Sequence, residues 1–185
     1  MARTSSTMLP LGTALPSFAL PTVEGERWST TQLDDRPLLV LFICAHCPFV
    51  KHVEPSLTAL AEAWASELQI VAISSNSVIS HPQDAPDQLL AQKQRCGWAF
   101  PYLHDHEQTV ARALQAACTP DSFLFDRQRR LVYRGQLDGS RPGGDQLSDC
   151  ADLLKALEAL RQGAAPLASQ RPSIGCGIKW HQESP

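Results

Sequence analysis

The amino-acid sequence predicts a single α/β domain in which helices flank a central mixed β-sheet. Two apolar runs, at 37–43 and 68–73, are typical of strands buried on both faces of a sheet. Between them, from Pro48 onwards, apolar residues recur every three or four positions, which indicates an amphipathic helix. The order strand, helix, strand is that of a parallel β-α-β unit, and 185 residues suffice for one domain with a sizeable core.

The segments around this unit complete the predicted fold. Two short extended stretches flank the turn Glu24-Gly25-Glu26, which predicts an N-terminal β-hairpin extension. Apolar residues at helical spacing from Leu147 to Leu160 predict a last helix. The elements expected in between are a loop at 74–86, a helix near 87–95, a strand at 100–103, a helix at 107–116 and a hairpin of strands 122–125 and 131–134.

Three parts of the chain are predicted from this order of elements. We expect residues 1–10 to be a flexible N-terminus and residues 11–163 to form the domain. Residues 164–185, which follow the last predicted helix, are expected to be a tail packed on that domain.

Composition and charge argue against several classes of protein. The chain is 43% hydrophobic and 19% charged with a formal net charge of -3, which is typical of a soluble globular protein. Its short basic cluster falls in the predicted turn of a hairpin and offers no face for a nucleic acid. No apolar stretch has the length of a signal peptide or a membrane span. We therefore expect a cytoplasmic protein with neither nucleic-acid nor membrane partners, whose oligomeric state the sequence does not indicate.

The six cysteines differ in their spacing. A reducing cytoplasm keeps structural disulfides rare, so we expect only closely spaced cysteines to carry chemistry. Cys44 and Cys47 form such a pair. Cys150 lies on the apolar face of the last predicted helix, where a core role is expected, and Cys96 has no evident partner.

The segment Cys44-Ala45-His46-Cys47-Pro48 lies where the first buried strand meets the following helix. A C-x-x-C pair beside a β-α-β unit is typical of a thioredoxin-like redox motif. The first turn of a helix has unpaired N–H groups and the positive end of the macrodipole, and both stabilise a thiolate. A nearby imidazole on His46 favours the thiolate further, so the sequence predicts a redox dithiol that needs no cofactor and no metal.

A metal-binding or redox-sensing module is the alternative from another class. A structural zinc site normally has four ligands, and the sequence offers one C-x-x-C without a second ligand pair at the usual spacing. This alternative would require as metal ligands Cys44, Cys47, His52 and the distant Cys118.

In these residues the chain resembles the thioredoxin-like superfamily, on the branch of the peroxiredoxins and alkyl hydroperoxide reductases (the thiol-specific antioxidant type). More narrowly, it is similar to peroxiredoxin-like bacterial proteins that carry a C-x-x-C. The resemblance covers roughly 11–180 and rests on the segments 12–20, 42–52, 72–76, 118–121, 133–138 and 172–180. It implies a thioredoxin fold.

The resemblance also implies roles for particular residues. Thr119-Pro120 matches the loop whose cis-proline faces the dithiol and pairs with the backbone of the substrate. By similarity to thioredoxins, Cys44 would be the nucleophile and Cys47 the resolving thiol of a thiol–disulfide oxidoreductase. Its partners would be a protein or small-molecule disulfide and a thioredoxin-type reductant.

A peroxidase is the second activity that the resemblance implies, with peroxide as substrate, Cys47 as the peroxidatic and Cys44 as the resolving thiol. Here the sequence departs from the peroxiredoxin pattern. Cys44 stands where a Thr or Ser is expected, and only Arg134 suggests itself as the arginine of the pocket. Two further cysteines are candidate redox thiols: Cys176, between two glycines of the tail, and Cys118, just before Thr119.

Overall fold

The computed structural model describes residues 3–182. Its strands are β1 (Arg3–Ser5), β2 (Ala19–Pro21), β3 (Arg27–Ser29), β4 (Leu38–Phe42), β5 (Gln69–Ser74), β6 (Tyr102–His104), β7 (Cys118–Thr119), β8 (Asp121–Phe125), β9 (Leu131–Gly135) and β10 (Ile174–Gly177). Its α-helices are α1 (Pro48–Ala63), α2 (Pro86–Cys96), α3 (Thr109–Ala113) and α4 (Ala151–Arg161), and the short segments Thr30–Gln32 and Pro82–Asp84 are 3₁₀ helices.

A five-stranded mixed sheet in the order β6-β5-β4-β8-β9 forms the centre of the fold. The central strand β4 is parallel to β5 and antiparallel to β8, and all five of its residues are buried. Because side chains alternate along a strand, Leu39 and Leu41 pack with residues of α1, α2 and α4, whereas Val40 and Phe42 pack with residues of α3. The predicted β-α-β unit and the β8–β9 hairpin are confirmed.

The N-terminal hairpin of β2 and β3 is also confirmed, with Leu20 paired to Trp28. A further sheet, in the order β1-β10-β7, was not predicted. In this sheet Arg3–Ser5, within the segment expected to be flexible, pairs with the tail strand β10. Through its other edge β10 pairs with β7, so the tail lies directly on the loop that precedes Pro120.

Two predicted helices are longer than those observed, and backbone conformation explains both differences. Helix α3 is shorter than predicted because Gln108 and Gln115, at φ of 58° and 51°, take left-handed conformations on either side of it. Helix α4 begins only after Cys150, at φ of 54°, and Leu147 is 84% exposed rather than on an apolar face. The Asp138 carboxylate accepts hydrogen bonds from the backbone N–H of Asp149 and Cys150, which keeps that segment outside the helix.

Between residues 3 and 182, no helix combines the length and the apolar character that crossing a bilayer would require.

Candidate active site

The C-x-x-C segment connects the end of β4 to the start of α1. Cys47 is the N-cap residue of α1, and Pro48 occupies the first turn, where its missing N–H costs nothing. The backbone N–H of Val50 points to the Cys47 sulfur. Cys44 and Cys47 are both fully buried. The strand end and helix start therefore hold two shielded thiols at the positive end of a 16-residue helix.

The Thr119-Pro120 loop faces both thiols, and the bond between these two residues is cis. When Cys47 is protonated, its thiol donates to the Thr119 carbonyl at 3.2 Å, and the Thr119 hydroxyl lies 3.4 Å from Cys44 Sγ. The structure thus brings the Cys44/Cys47 pair to the Thr119-Pro120 loop, although the two segments are more than 70 positions apart along the chain.

The two thiols differ in acidity. A hydrogen bond from Cys44, opposed by burial and reinforced by hydrogen bonds from Cys176, Thr119 and the Val50 N–H, lowers the pKa of Cys47 to about 5. The pKa of Cys44 is raised well above its usual range, because its proton is engaged with Cys47, because it is buried, and because Asp84 places a negative charge nearby. The dithiol therefore loses its first proton at Cys47 and keeps the second on Cys44.

Asp84 organises the turn between the two cysteines, and sequence reasoning missed it. Its side chain is fully buried, and one carboxylate oxygen accepts hydrogen bonds from the backbone N–H of Ala45 (2.9 Å) and His46 (3.1 Å). The other oxygen accepts from Asn76 Nδ2 (2.7 Å) and pairs with His46 Nδ1 (2.6 Å). Burial acts to raise the pKa of Asp84, but these hydrogen bonds outweigh burial and lower it. No local pattern marks Asp84, since it ends a short 3₁₀ helix within the polar segment that follows β5.

Replacing Asp84 with asparagine is expected to loosen this turn and to lower the pKa of Cys44. The neutral amide turns an N–H group towards donors that the carboxylate accepts, so we expect a loss of about 1–3 kcal/mol in the free energy of unfolding. Loss of the negative charge stabilises the Cys44 thiolate. Thermal melts and thiolate absorbance against pH measure both effects. The exposed Asp87→Asn is the matched control, and an Asp84→Asn variant that melts and titrates like the wild type would contradict this role.

A polar network lies beneath Cys44. Gln92 Nε2 donates to the Cys44 carbonyl (3.2 Å) and to Glu54 Oε1 (2.9 Å), and Tyr102 donates its hydroxyl to Gln92 (3.1 Å). Arg95 pairs with the other oxygen of Glu54 at 2.8 Å. These contacts tie the start of the C-x-x-C turn to α1, α2 and β6, and their partners are too distant in sequence for any periodic pattern to have indicated them.

Cys176 lies in the same site. In β10 its Cα pairs with that of Thr119, and its thiol hydrogen-bonds to Cys47. Burial and the contact with the Cys47 sulfur raise the pKa of Cys176 to about 12. Cys118 is also buried, but its thiol points to the Pro120 carbonyl at 3.6 Å. Of the two further candidate thiols, Cys176 is the one in contact with the dithiol.

The metal-ligand set that the sequence suggested, which included His52 and Cys118, differs from the group of possible ligands that lie together in the fold. Within the part of the chain that the structure describes, the ligand atoms of Cys44, His46 and Asp84 lie within 4.8 Å of one another. His52 instead hydrogen-bonds through Nε2 to the Ser140 hydroxyl at 2.8 Å. Both oxygens of Asp84 already accept hydrogen bonds, so a metal would have to displace contacts that hold the turn.

A buried acid follows the cis-proline directly. Asp121 has no exposed surface, and burial raises its pKa to about 7, although its carboxylate accepts a hydrogen bond from the Ala117 N–H at 3.3 Å. Sequence reasoning treated Asp121 only as part of a matching segment.

The AhpC/TSA family model matches residues 11–134, a span that includes both cysteines of the dithiol and the Thr119-Pro120 loop. The chain belongs to the AhpC/TSA family. The tail with Cys176 lies outside the matched residues. A search of curated proteins finds no match.

Two solved structures resemble this AhpC/TSA-family chain over nearly its whole length. One is an uncharacterized conserved protein from Geobacillus kaustophilus, with 42% identity, a TM-score of 0.95 and coverage of 100% of this chain and 99% of the other. The second is a hypothetical protein from Sinorhizobium meliloti, with 42% identity, a TM-score of 0.93 and coverage of 96% and 98%. These likenesses therefore extend through the tail strand.

More distant structures share the fold. A thiol:disulfide interchange protein of the thioredoxin family from Chlorobium tepidum has 20% identity and a TM-score of 0.63, with coverage of 80% of this chain and 96% of the other. The predicted thioredoxin fold, with a central mixed sheet flanked by helices, is thereby confirmed.

Proposed function

We propose that this protein is a thiol–disulfide oxidoreductase that uses the Cys44/Cys47 dithiol. One observation carries the proposal: two hydrogen-bonded thiols of unequal acidity lie at the start of α1, against a cis-proline loop. Membership of the AhpC/TSA family and the fold shared with the thiol:disulfide interchange protein support a thioredoxin-like redox function.

The proposed reaction is a two-step exchange. The Cys47 thiolate attacks one sulfur of a substrate disulfide R–S–S–R′, a mixed disulfide Cys47–S–S–R forms, and R′–S⁻ leaves. Cys44 then loses its proton and attacks the Cys47 sulfur, which forms the Cys44–Cys47 disulfide and releases R–S⁻. Two electrons pass from the dithiol to the substrate, and a thioredoxin-type dithiol in the cytoplasm would restore the reduced protein.

The order of attack differs from the one that similarity to thioredoxins implies. We assign the nucleophile to Cys47, because its thiolate is supported by three side-chain contacts and the Val50 N–H. Cys44 faces the carboxylate of Asp84, which disfavours its thiolate. The thiolate, not the thiol, is the attacking species.

A peroxidase is the second candidate, because a low-pKa Cys47 occupies the peroxidatic place of the family. In that reaction Cys47 takes an oxygen from hydrogen peroxide to become a sulfenic acid, and Cys44 displaces water to form the disulfide. Two observations favour disulfide exchange over peroxide reduction. Cys44 occupies the place of the peroxiredoxin Thr or Ser, and the Arg134 guanidinium donates to Gln170 at 2.7 Å.

The test compares two oxidants on the fully reduced protein. Each is added in stoichiometric amounts at pH 7, the reaction is quenched with an alkylating agent, and thiols are counted by mass spectrometry. We expect a small disulfide to oxidise Cys44 and Cys47 together and a thioredoxin-type reductant to reverse the reaction. Fast oxidation by hydrogen peroxide alone would favour the peroxidase. No reaction with either, together with stoichiometric zinc in elemental analysis, would favour a metal-binding module.

A further inference from the structure

The tail strand β10 covers the dithiol. It pairs with β7 so that Cys176 lies opposite Thr119, whose carbonyl and hydroxyl contact the two sulfurs of the dithiol. Gly175 lies so close to this loop that a Cβ atom there would be 2.1 Å from the Thr119 carbonyl oxygen. The backbone of the tail therefore packs directly on the active-site loop, and Cys44, Cys47 and the β10 residue Cys176 are all buried.

The tail is anchored on both sides of Cys176. Before it, the Ser6 N–H donates to the Ser173 carbonyl at 2.9 Å. After it, the Ile178 N–H donates to the Ala117 carbonyl at 3.0 Å, and the Lys179 N–H donates to Asn76 Oδ1 at 2.9 Å. Because these contacts fix the strand, the Cys176 thiol is held in contact with the Cys47 sulfur, and no further chain movement is needed to bring the two together.

The charges around the two thiols that contact Cys47 are of opposite sign. Cys44 faces the buried carboxylate of Asp84, which opposes ionisation of its thiol. Lys179 lies near Cys176, and its positive charge favours the thiolate there. Once Cys47 is engaged in a mixed disulfide, its own negative charge is gone and these opposite fields remain. Burial still opposes ionisation of both thiols, so the sign of the neighbouring charge is what distinguishes Cys176 from Cys44 as the next thiolate.

We infer that Cys176 is a second resolving thiol, which forms a disulfide with Cys47 in competition with Cys44. The inference rests on the proposed function, because it requires Cys47 to have attacked a substrate disulfide. In this step the Cys176 thiol gives its proton to solvent, and the resulting thiolate attacks the Cys47 sulfur of Cys47–S–S–R. A Cys47–Cys176 bond forms, the bond to R breaks, and R–S⁻ leaves with the electron pair.

Trypsin gives a direct readout of this disulfide. Because Arg36 and Arg171 precede proline, cleavage leaves Cys44 and Cys47 in peptide 28–51 and Cys176 alone in peptide 162–179. A Cys44–Cys47 disulfide therefore stays within one peptide, whereas a Cys47–Cys176 disulfide links two peptides. Cys118 lies in a third peptide, 113–127.

The experiment oxidises wild type and Cys44→Ser with hydroxyethyl disulfide at pH 7, followed by acid quenching, alkylation and digestion. In Cys44→Ser we expect the majority of peptide 28–51 to be linked to peptide 162–179, and Cys44→Ser/Cys176→Ser to retain the mixed disulfide instead. Cys44→Ser/Cys118→Ser is the matched control and should give the same link as Cys44→Ser. A Cys44→Ser variant that keeps the mixed disulfide, or links to peptide 113–127, overturns the inference.

The failure of the two proposals can be told apart. If the wild type forms the Cys44–Cys47 disulfide but Cys44→Ser forms no Cys47–Cys176 link, only this inference fails. If neither cysteine of the wild type reacts, the proposed function fails. Circular dichroism checks that each variant is folded. Should Cys44→Ser not fold, wild type quenched at short times decides, since the linked peptides are expected there and their absence overturns the inference.

Discussion

Replacing Cys47 with serine is expected to abolish disulfide reduction, with a loss in rate on the order of a thousandfold or more. A serine hydroxyl stays protonated at neutral pH, so no nucleophile remains at the start of α1. Cys44→Ser is expected to behave differently, because Cys47 still attacks the substrate disulfide and Cys176 then resolves the mixed disulfide. Stopped-flow reduction of hydroxyethyl disulfide and the intact mass of the protein distinguish the two variants.

The reverse pattern would contradict the assignment. If Cys47→Ser accumulates a mixed disulfide on Cys44 and Cys44→Ser does not react, the order implied by similarity to thioredoxins is the right one. The pH profile of alkylation gives an independent check. In the wild type the rate should rise through pH 5 and level off by neutral pH, since the pKa of Cys47 is lowered to about 5. In Cys44→Ala, which loses the donor that Cys44→Ser keeps, the midpoint should move to higher pH.

Replacing Gly175 with alanine is expected to lift the tail strand off the active-site loop. The added Cβ would lie 2.1 Å from the Thr119 carbonyl oxygen and 2.7 Å from its carbon, and both are backbone atoms that cannot turn aside. Overpacking of this kind costs about 1–3 kcal/mol, which lowers the Tm of a chain of this length by roughly 2–12 °C. Exposure of the sulfurs should also speed alkylation of Cys47 and Cys176.

Gly139→Ala is the matched control, because Gly139 is exposed and a Cβ there meets nothing within 4 Å. It should melt and react like the wild type. A Gly175→Ala variant with wild-type Tm and wild-type rates of alkylation would show that β10 does not cover the dithiol in solution. A variant that melts lower but keeps slow alkylation would separate the stability of the tail from its shielding role.

The sequence by itself determined the central sheet, the helix that starts at Pro48 and the dithiol at its beginning. These features depend on contacts between near neighbours, or on periodic burial that the order of apolar residues records directly. Within the run over 37–43, Leu38–Phe42 became a fully buried strand because every one of its side chains is apolar and faces a packed layer. The cis bond before Pro120 was implied by resemblance alone, and the structure contains it.

Tertiary structure alone decided how this dithiol is held and covered. The Asp84 carboxylate reaches the C-x-x-C turn across 38 positions, and the tail reaches Thr119 by strand pairing across more than 50. Strand β10 is short and rich in glycine, so it has no alternating pattern that would reveal a strand or its register. The acidities of Cys44 and Cys47 follow from these long-range contacts. Local sequence placed two thiols at a helix start. Only the folded chain gave them different pKa values and placed Cys176 beside Cys47.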